Sequence, residues 1–228
     1  MQRSGCSRAT SKQGTGHMSS KPDTYKPLRK AYSELSSQYD SRWKSYVDAS
    51  IGQTVRRIPA MSPERILDIG CGTGVLLNVL GNQFPHAQLT GIDLSSEMLE
   101  LARKKLGKSV ELKQSPAERL PFQQSDFDLI VSTSIFHFIR SPEAALHEMF
   151  RVLRPSGQLV ITDWCNDFFT MRMFDLYLRL FNKEHHRTYT SKSFGERVNQ
   201  AGFTQWETDT YKIDRFWGLM TSVAQKTE

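Results

Sequence analysis

The sequence predicts an α/β fold: a doubly wound, mostly parallel seven-stranded sheet, with a helical segment before it and a helical cap inserted after its fifth strand. Three observations carry this. Short apolar runs alternate with helical patterns from residue 65 to residue 163, as in a parallel sheet covered on both faces. The first run, Arg65-Ile66-Leu67-Asp68-Ile69, ends directly in the glycine turn Gly70-Cys71-Gly72-Thr73-Gly74. After Asp163 the alternation breaks, and an aromatic pattern at helical spacing, Phe168 to Phe181, stands before two closing strands.

Residues 1–20 hold Arg3, Arg8 and Lys12, no acid, and almost no large apolar side chain. Such a segment cannot bury enough surface to order itself, so a disordered tail is expected. Its Gly14-Thr15-Gly16-His17-Met18 reads as expression-derived. Residues 21–228 are the one folded domain. In it, 24–58 read as aromatic-rich helices ended by Pro59 and Pro63. The strand Arg65 to Ile69 follows, then a helix from Val75 to Leu80 that should stop near Gly81. Gln88 to Asp93 is the second strand, and Ser95 or Ser96 caps a helix through Leu106 that Gly107 closes. Val110 to Leu112 and Phe127 to Ser132 are the third and fourth strands. Pro142 opens a helix to Leu153, and Pro155-Ser156-Gly157 should turn into the strand Gln158 to Asp163. Residues 166–190 form the cap. Ser193 to Gln200 is a further helix, and Phe203 to Lys212 and Trp217 to Ala224 are the closing strands.

The 228 residues are 38% hydrophobic and 24% charged, ordinary for a water-soluble core. No run reaches the roughly 18–20 apolar residues of a membrane helix. No apolar signal segment opens the chain, so a cytoplasmic location is expected. The tail carries half of the net charge of +6, and what is left on the body is a weak basis for nucleic-acid binding. Cys6, Cys71 and Cys165 are too dispersed for a zinc or redox motif; they read as free thiols, and no metal is expected.

Ligands of such sheets bind outside the carboxyl ends of the strands, and the glycine turn is the first such end. Its glycines allow close backbone approach, and the amides of the next helix face the same spot. A dinucleotide is excluded, because Val75 stands where the fingerprint needs its third glycine; a P-loop lysine is also missing. Asp68 would repel a pyrophosphate but suits an ammonium group. Asp93, at the end of the second strand, is placed to accept both hydroxyls of a ribose. Each aspartate could instead serve only its own turn or helix cap. A ligand with a ribose, an amine and no phosphates is implied, and S-adenosylmethionine satisfies that.

These runs, with Gly91-Ile92-Asp93-Leu94-Ser95, Leu120-Pro121-Phe122, Phe127-Asp128-Leu129-Ile130 and Phe150-Arg151-Val152-Leu153-Arg154-Pro155-Ser156-Gly157, resemble class I S-adenosylmethionine-dependent methyltransferases of the quinone-biosynthesis, type 11 group. The resemblance spans about residues 38–163. It implies a Rossmann-like methyltransferase fold with S-adenosylmethionine as cofactor. It also implies that Gly70, Cys71 and Gly72 line the methionine part, with Asp68 near its amine. Asp93 would hold the ribose, Leu94 would pack on the adenine, and Ala117 and Glu118 would border the adenine edge. Ser132 would lie near the sulfonium, and Tyr39 of Gln38-Tyr39-Asp40 would close over the cofactor. Similar enzymes place an acid after the third strand; Pro116 stands there, leaving the adenine to backbone groups or Glu118.

A sulfonium methyl needs alignment with its nucleophile more than activation. A general base is needed when the nucleophile is weakly acidic. His137, after the fourth strand, and His186, in the cap, are the candidate bases; His137 is equally readable as a buried structural histidine, and His185 and His186 as exposed loop residues. Trp43, Trp164, Phe168, Tyr177, Tyr189 and Trp217 are the candidate acceptor contacts, a wall suited to a small aromatic or lipid-like molecule. Tyr39, Trp43 and the stripe from Phe168 to Leu180 can also be read as core. The Pro-Pro motif of amino-directed nucleic-acid methylation and the Pro-Cys pair of cytosine attack are missing. A small-molecule acceptor therefore leads. A methyltransferase acting on RNA or protein and a non-catalytic cofactor-binding protein are the alternatives, and no oligomer interface is legible.

Overall fold

In the computed structural model, residues 25–182 and 184–227 are described, without the side chains of 33–37 and 39. The expected disordered tail lies outside them. The elements run α1 Lys26–Arg42, α2 Lys44–Arg56, β1 Arg65–Ile69, α3 Val75–Gln83, β2 Gln88–Asp93, α4 Ser96–Leu106, β3 Val110–Gln114 and β4 Phe127–Thr133. They continue with α5 Pro142–Val152, β5 Leu153–Trp164, α6 Phe169–Phe181, α7 Ser191–Gln200, β6 Gln205–Lys212 and β7 Gly218–Gln225.

The strands form one sheet of order β3-β2-β1-β4-β5-β7-β6. The first five are parallel, and β7 lies antiparallel between β5 and β6. Alternation within each strand explains the covering of both faces. Ile66, Leu129, Val131 and Val160 face Leu76, Leu77 and Leu80 of α3. Leu67, Ile69, Ile130 and Ile161 face Met149 of α5 and Phe194 of α7. Both sets are apolar because both faces are shut off from water. Strand order reverses between β1 and β4, so the crevice for a ligand opens at the carboxyl ends of those two strands.

Local chemistry sets the boundaries. Ser95 caps α4, its Oγ accepting from the Met98 amide at 3.2 Å, and Gly107 closes the helix at φ 69°. The helix expected to stop near Gly81 runs on to Gln83, because Gly81 keeps a negative φ and the following Pro85 is the first real obstacle. The turn expected at Pro155-Ser156-Gly157 is instead an irregularity inside β5: Leu153 already pairs with Phe127, and the register shifts before Leu129 meets Gln158. Ser156 takes φ 63° there, its amide held by the Lys226 carbonyl at 2.8 Å. No helix among the described residues is long and apolar enough to cross a membrane.

Candidate active site

The glycine turn sits on the crevice. Gly70 takes φ 76°, and a Cβ there would lie 2.3 Å from Cγ2 of Ile135. Gly72 takes φ 52°, and nothing stands within 4 Å of where its Cβ would be, so that side of the turn is open. Asp93 fixes the turn from the neighbouring strand. Its Oδ2 accepts from the Gly72 amide at 2.9 Å and its Oδ1 from the Ser95 amide at 2.8 Å. One lone pair on each oxygen is thus used by backbone. Burial pushes the Asp93 carboxyl up, and the amides of Ser95, Gly72 and Leu94 oppose that.

Asp68 is different. It is buried, and its Oδ2 has no hydrogen-bond partner among the described residues. Burial, and then the charge of Asp93, push its pKa up to about 8. A buried acid without a partner is costly, so the site asks for a donor from outside, and an ammonium group is the matching one. The expectation that Asp68 might only bond its own turn does not hold for this oxygen.

Two small cavities follow the turn. One, of about 110 Å³, is bordered by Asp93, Leu94, Met98, Ala117 and Glu118 and closed by Tyr25 and Leu28 at the start of α1. The Tyr25 hydroxyl donates to Glu118 and accepts from the Arg140 amide, so Glu118 already has a partner. The other, of about 70 Å³, is bordered by Asp68, Gly70, Cys71, Gly72 and Tyr46. Burial raises the Cys71 thiol, which keeps it neutral there. Together they trace a path along the turn from Glu118 to Asp68. The far end of α1 is latched on the turn: Asp40 accepts from Thr73 Oγ1 at 2.6 Å and from Lys105 Nζ at 2.8 Å. The Tyr39 side chain lies outside the described residues. Ser132, expected near the sulfonium, is fully buried and donates to the Ile69 carbonyl at 3.0 Å; its neighbours Thr133 and Ser134 border the cavities in its place.

A third cavity, of about 250 Å³, opens beyond Ser134. Trp43, Tyr46, Phe138, Trp164, Phe174 and Trp217 dominate its walls. Trp164 Nε1 donates to the Tyr46 hydroxyl at 2.8 Å, and that hydroxyl pairs with Ser134 Oγ at 2.7 Å. Ser134 takes φ 61°, a left-handed conformation that a serine holds only when its surroundings impose it.

His137 lies on this cavity, buried and stacked on Trp164 with ring centroids 3.7 Å apart. Its Nδ1 is 2.7 Å from Asp163 Oδ1. The amides of Phe136 and Trp164 also point at that carboxylate, both at 2.6 Å. Asp163 therefore acts as an acceptor, Nδ1 of the neutral ring carries the proton, and Nε2 keeps the lone pair.

The structure separates the two expected bases. His186 is half-buried, its amide bonded to the His137 carbonyl at 2.8 Å, and it does not border the cavity. Burial, then Arg187, lowers its pKa. Its neighbour His185 faces inward instead, correcting the reading of it as an exposed loop residue. His185 Nε2 pairs with Asp175 at 2.7 Å, and its buried Nδ1 has no partner among the described residues. The missed signal is Asp175 itself, the one acid in α6.

Of the expected acceptor contacts, Trp43, Trp164 and Trp217 are brought together. Phe168 packs in the core, where a Cβ on Gly218 would meet its ring at 2.1 Å. Tyr189 is buried against Phe194. Tyr177 points into solvent on the outer face of α6. Tyr46 and Ser134 were not singled out by sequence; Tyr46 stands three residues after Trp43 on one helix face, a usable hint.

Part of the chain is similar to known methyltransferases. Residues 67–161 match the family described as a methyltransferase domain. That match runs from β1 through the glycine turn into β5 and makes this stretch similar to a methyltransferase domain. Among curated methyltransferases, it is 34% identical to a demethylmenaquinone methyltransferase of Thermotoga maritima, over 64% of this chain and 61% of that one. It is 32% identical to a malonyl-[acyl-carrier protein] O-methyltransferase of Priestia megaterium, over 62% of this chain and 53% of that one. The chain thus spans only 61% and 53% of these two curated relatives. In three dimensions it matches the methyltransferase solved in complex with the Haloferax volcanii Trm112 activator, with a TM-score of 0.78 at 17% identity, over 88% of this chain and 98% of that one. At that identity the likeness concerns the fold.

Proposed function

We propose that the chain transfers the methyl group of S-adenosylmethionine to a small aromatic or lipid-like acceptor, with His137 taking the acceptor's proton. The position of Ser134 carries this reading. It borders both cavities along the glycine turn and the aromatic cavity beyond, so ligands in the two compartments meet there. The cofactor supplies an activated methyl on a sulfonium. The chain's own groups do the rest. Asp68 pairs with the amine, the free lone pairs of Asp93 take the ribose hydroxyls, and the tryptophans hold the acceptor in line and exclude water. Asp163 fixes the His137 tautomer, so that the nitrogen left to accept a proton is Nε2.

The walls also favour one kind of acceptor. No lysine or arginine borders the cavity among the described residues, and Glu184 does. An anionic group such as a malonyl carboxylate finds no counter-charge there, whereas a neutral or phenolic ring finds π faces and two imidazoles. The size suits one ring system rather than a folded macromolecule.

The test is release of S-adenosylhomocysteine with a set of phenolic and quinol compounds. Acceptor-dependent release that His137→Gln abolishes, with cofactor binding kept, is the expected result. Methylation confined to RNA or protein, or no calorimetric heat with S-adenosylmethionine, overturns the proposal.

A further inference from the structure

Helix α6 has two apolar faces. The inner one, with Phe174 and Leu178, walls the aromatic cavity. The outer one is not covered by any of the described residues. Phe169, Leu180 and Phe181 are 75%, 68% and 73% exposed, and Met173, Leu176 and Tyr177 are half exposed or more. Their spacing of three and four residues sets them in one stripe along the helix. Phe216, also exposed, extends the patch from the β6–β7 loop, where its carbonyl accepts from Thr170 Oγ1 at 2.7 Å. Isolated exposed apolar residues need no explanation; a continuous stripe of this kind does.

Basic side chains outnumber acidic ones around the stripe. Arg172 and Arg179 flank it on α6 and Arg215 lies beside Phe216, all exposed. Of the nearby acids Asp175 is buried, 3.7 Å from Arg179, while Asp167 and Asp214 are exposed but engaged in local hydrogen bonds. Asp175 also pairs with His185, Asp167 accepts from Ser191, and Asp214 accepts from the amides of Phe216 and Trp217. A second copy docked through this face about a two-fold axis would set the arginines of one α6 near those of the other. An anionic surface meets the same arginines with opposite charge.

We infer that α6 is an interfacial helix that seats this chain on an anionic lipid bilayer, its Phe, Leu and Met side chains entering the headgroup boundary and its arginines pairing with lipid phosphates. A helix with an apolar stripe, a basic flank and too little length to span lies in the plane of the interface. The aromatic cavity is then separated from the bilayer by one helix thickness, about 10 Å.

The test is co-sedimentation of the full chain with phosphatidylcholine vesicles, with and without about 30 mol % phosphatidylglycerol. Binding is expected to the anionic vesicles and to weaken with added salt. The double substitution Phe169→Asp with Leu180→Asp should weaken it about tenfold or more, and Arg172→Glu with Arg179→Glu should remove the preference for anionic lipid. Calorimetric binding of S-adenosylmethionine by each variant shows that it is folded. Three outcomes overturn the inference: no sedimentation at low salt, equal binding by the variants, or a concentration-dependent dimer that Phe169→Asp dissolves.

Discussion

The two halves of the crevice are built by different means. The proposed cofactor half is anchored by backbone and two aspartates, Asp68 and Asp93, at the ends of two adjacent strands, and closed by Tyr25 and Leu28 at the start of α1. The acceptor half is made by side chains from α2, the β4 loop, the end of β5, α6 and the start of β7. Backbone amides can hold a constant ligand with little sequence. Dispersed side chains can be exchanged singly, so that half is free to suit a particular acceptor.

The largest expected effect is on the cofactor half. Asp93→Ala removes charge-assisted bonds to two ribose hydroxyls and to the Gly72 amide, and cofactor affinity should fall at least about 100-fold by titration calorimetry. A similar loss from Trp217→Ala would erase the division between the halves. On the acceptor side, His137→Gln should lower kcat about 10²- to 10³-fold while cofactor affinity stays unchanged, and His186→Ala should leave both as they are. Gly70→Ala forces a Cβ against Ile135 at φ 76°, which should cost about 2–3 kcal/mol of stability, read as a lower Tm. Trp217→Ala should raise the acceptor KM about tenfold and spare cofactor affinity.

The smallest effect is the most specific. Burial holds Asp68 protonated up to about pH 8, and a ligand ammonium favours its ionised form. Cofactor binding near pH 6.5 should then release close to one proton, measured by calorimetry in buffers of differing ionisation enthalpy, and Asp68→Asn should release none. Because the folded-state pKa is raised, the ligand-free chain should lose stability as pH climbs from the ordinary carboxylate range to about 8, and Asp68→Asn should flatten that slope.

The glycine turn and the strands that frame it were legible, because turn and strand signals lie in the same few residues. A strand that ends in Gly70, Gly72 and Gly74, and a second that ends in Asp93, announce the turn and its place in the sheet. The acceptor half was legible only in part. Periodicity in α6 shows that residues share a face, but not which face is covered, so Phe174 and Tyr177 could not be told apart. Nor could His185 be told from His186. That choice depends on where Asp175 lies and on the bridge that sets Tyr189 against Cys165, and both are long-range facts. Phe168 and Tyr189 are aromatic in the right segment, yet packing rather than a ligand uses them.

The placement of β7 has a consequence for how the molecule comes into being. Of the seven strands it is the last in chain order, yet it separates β5 from β6. A growing chain that has made everything through β6 can already assemble β1 to β5 and the glycine turn, while β6 has no ladder to join and β5 shows a bare edge. Trp217, immediately before β7, arrives with it. During synthesis the glycine turn can therefore exist before the aromatic cavity receives Trp217, the last of its walls in chain order.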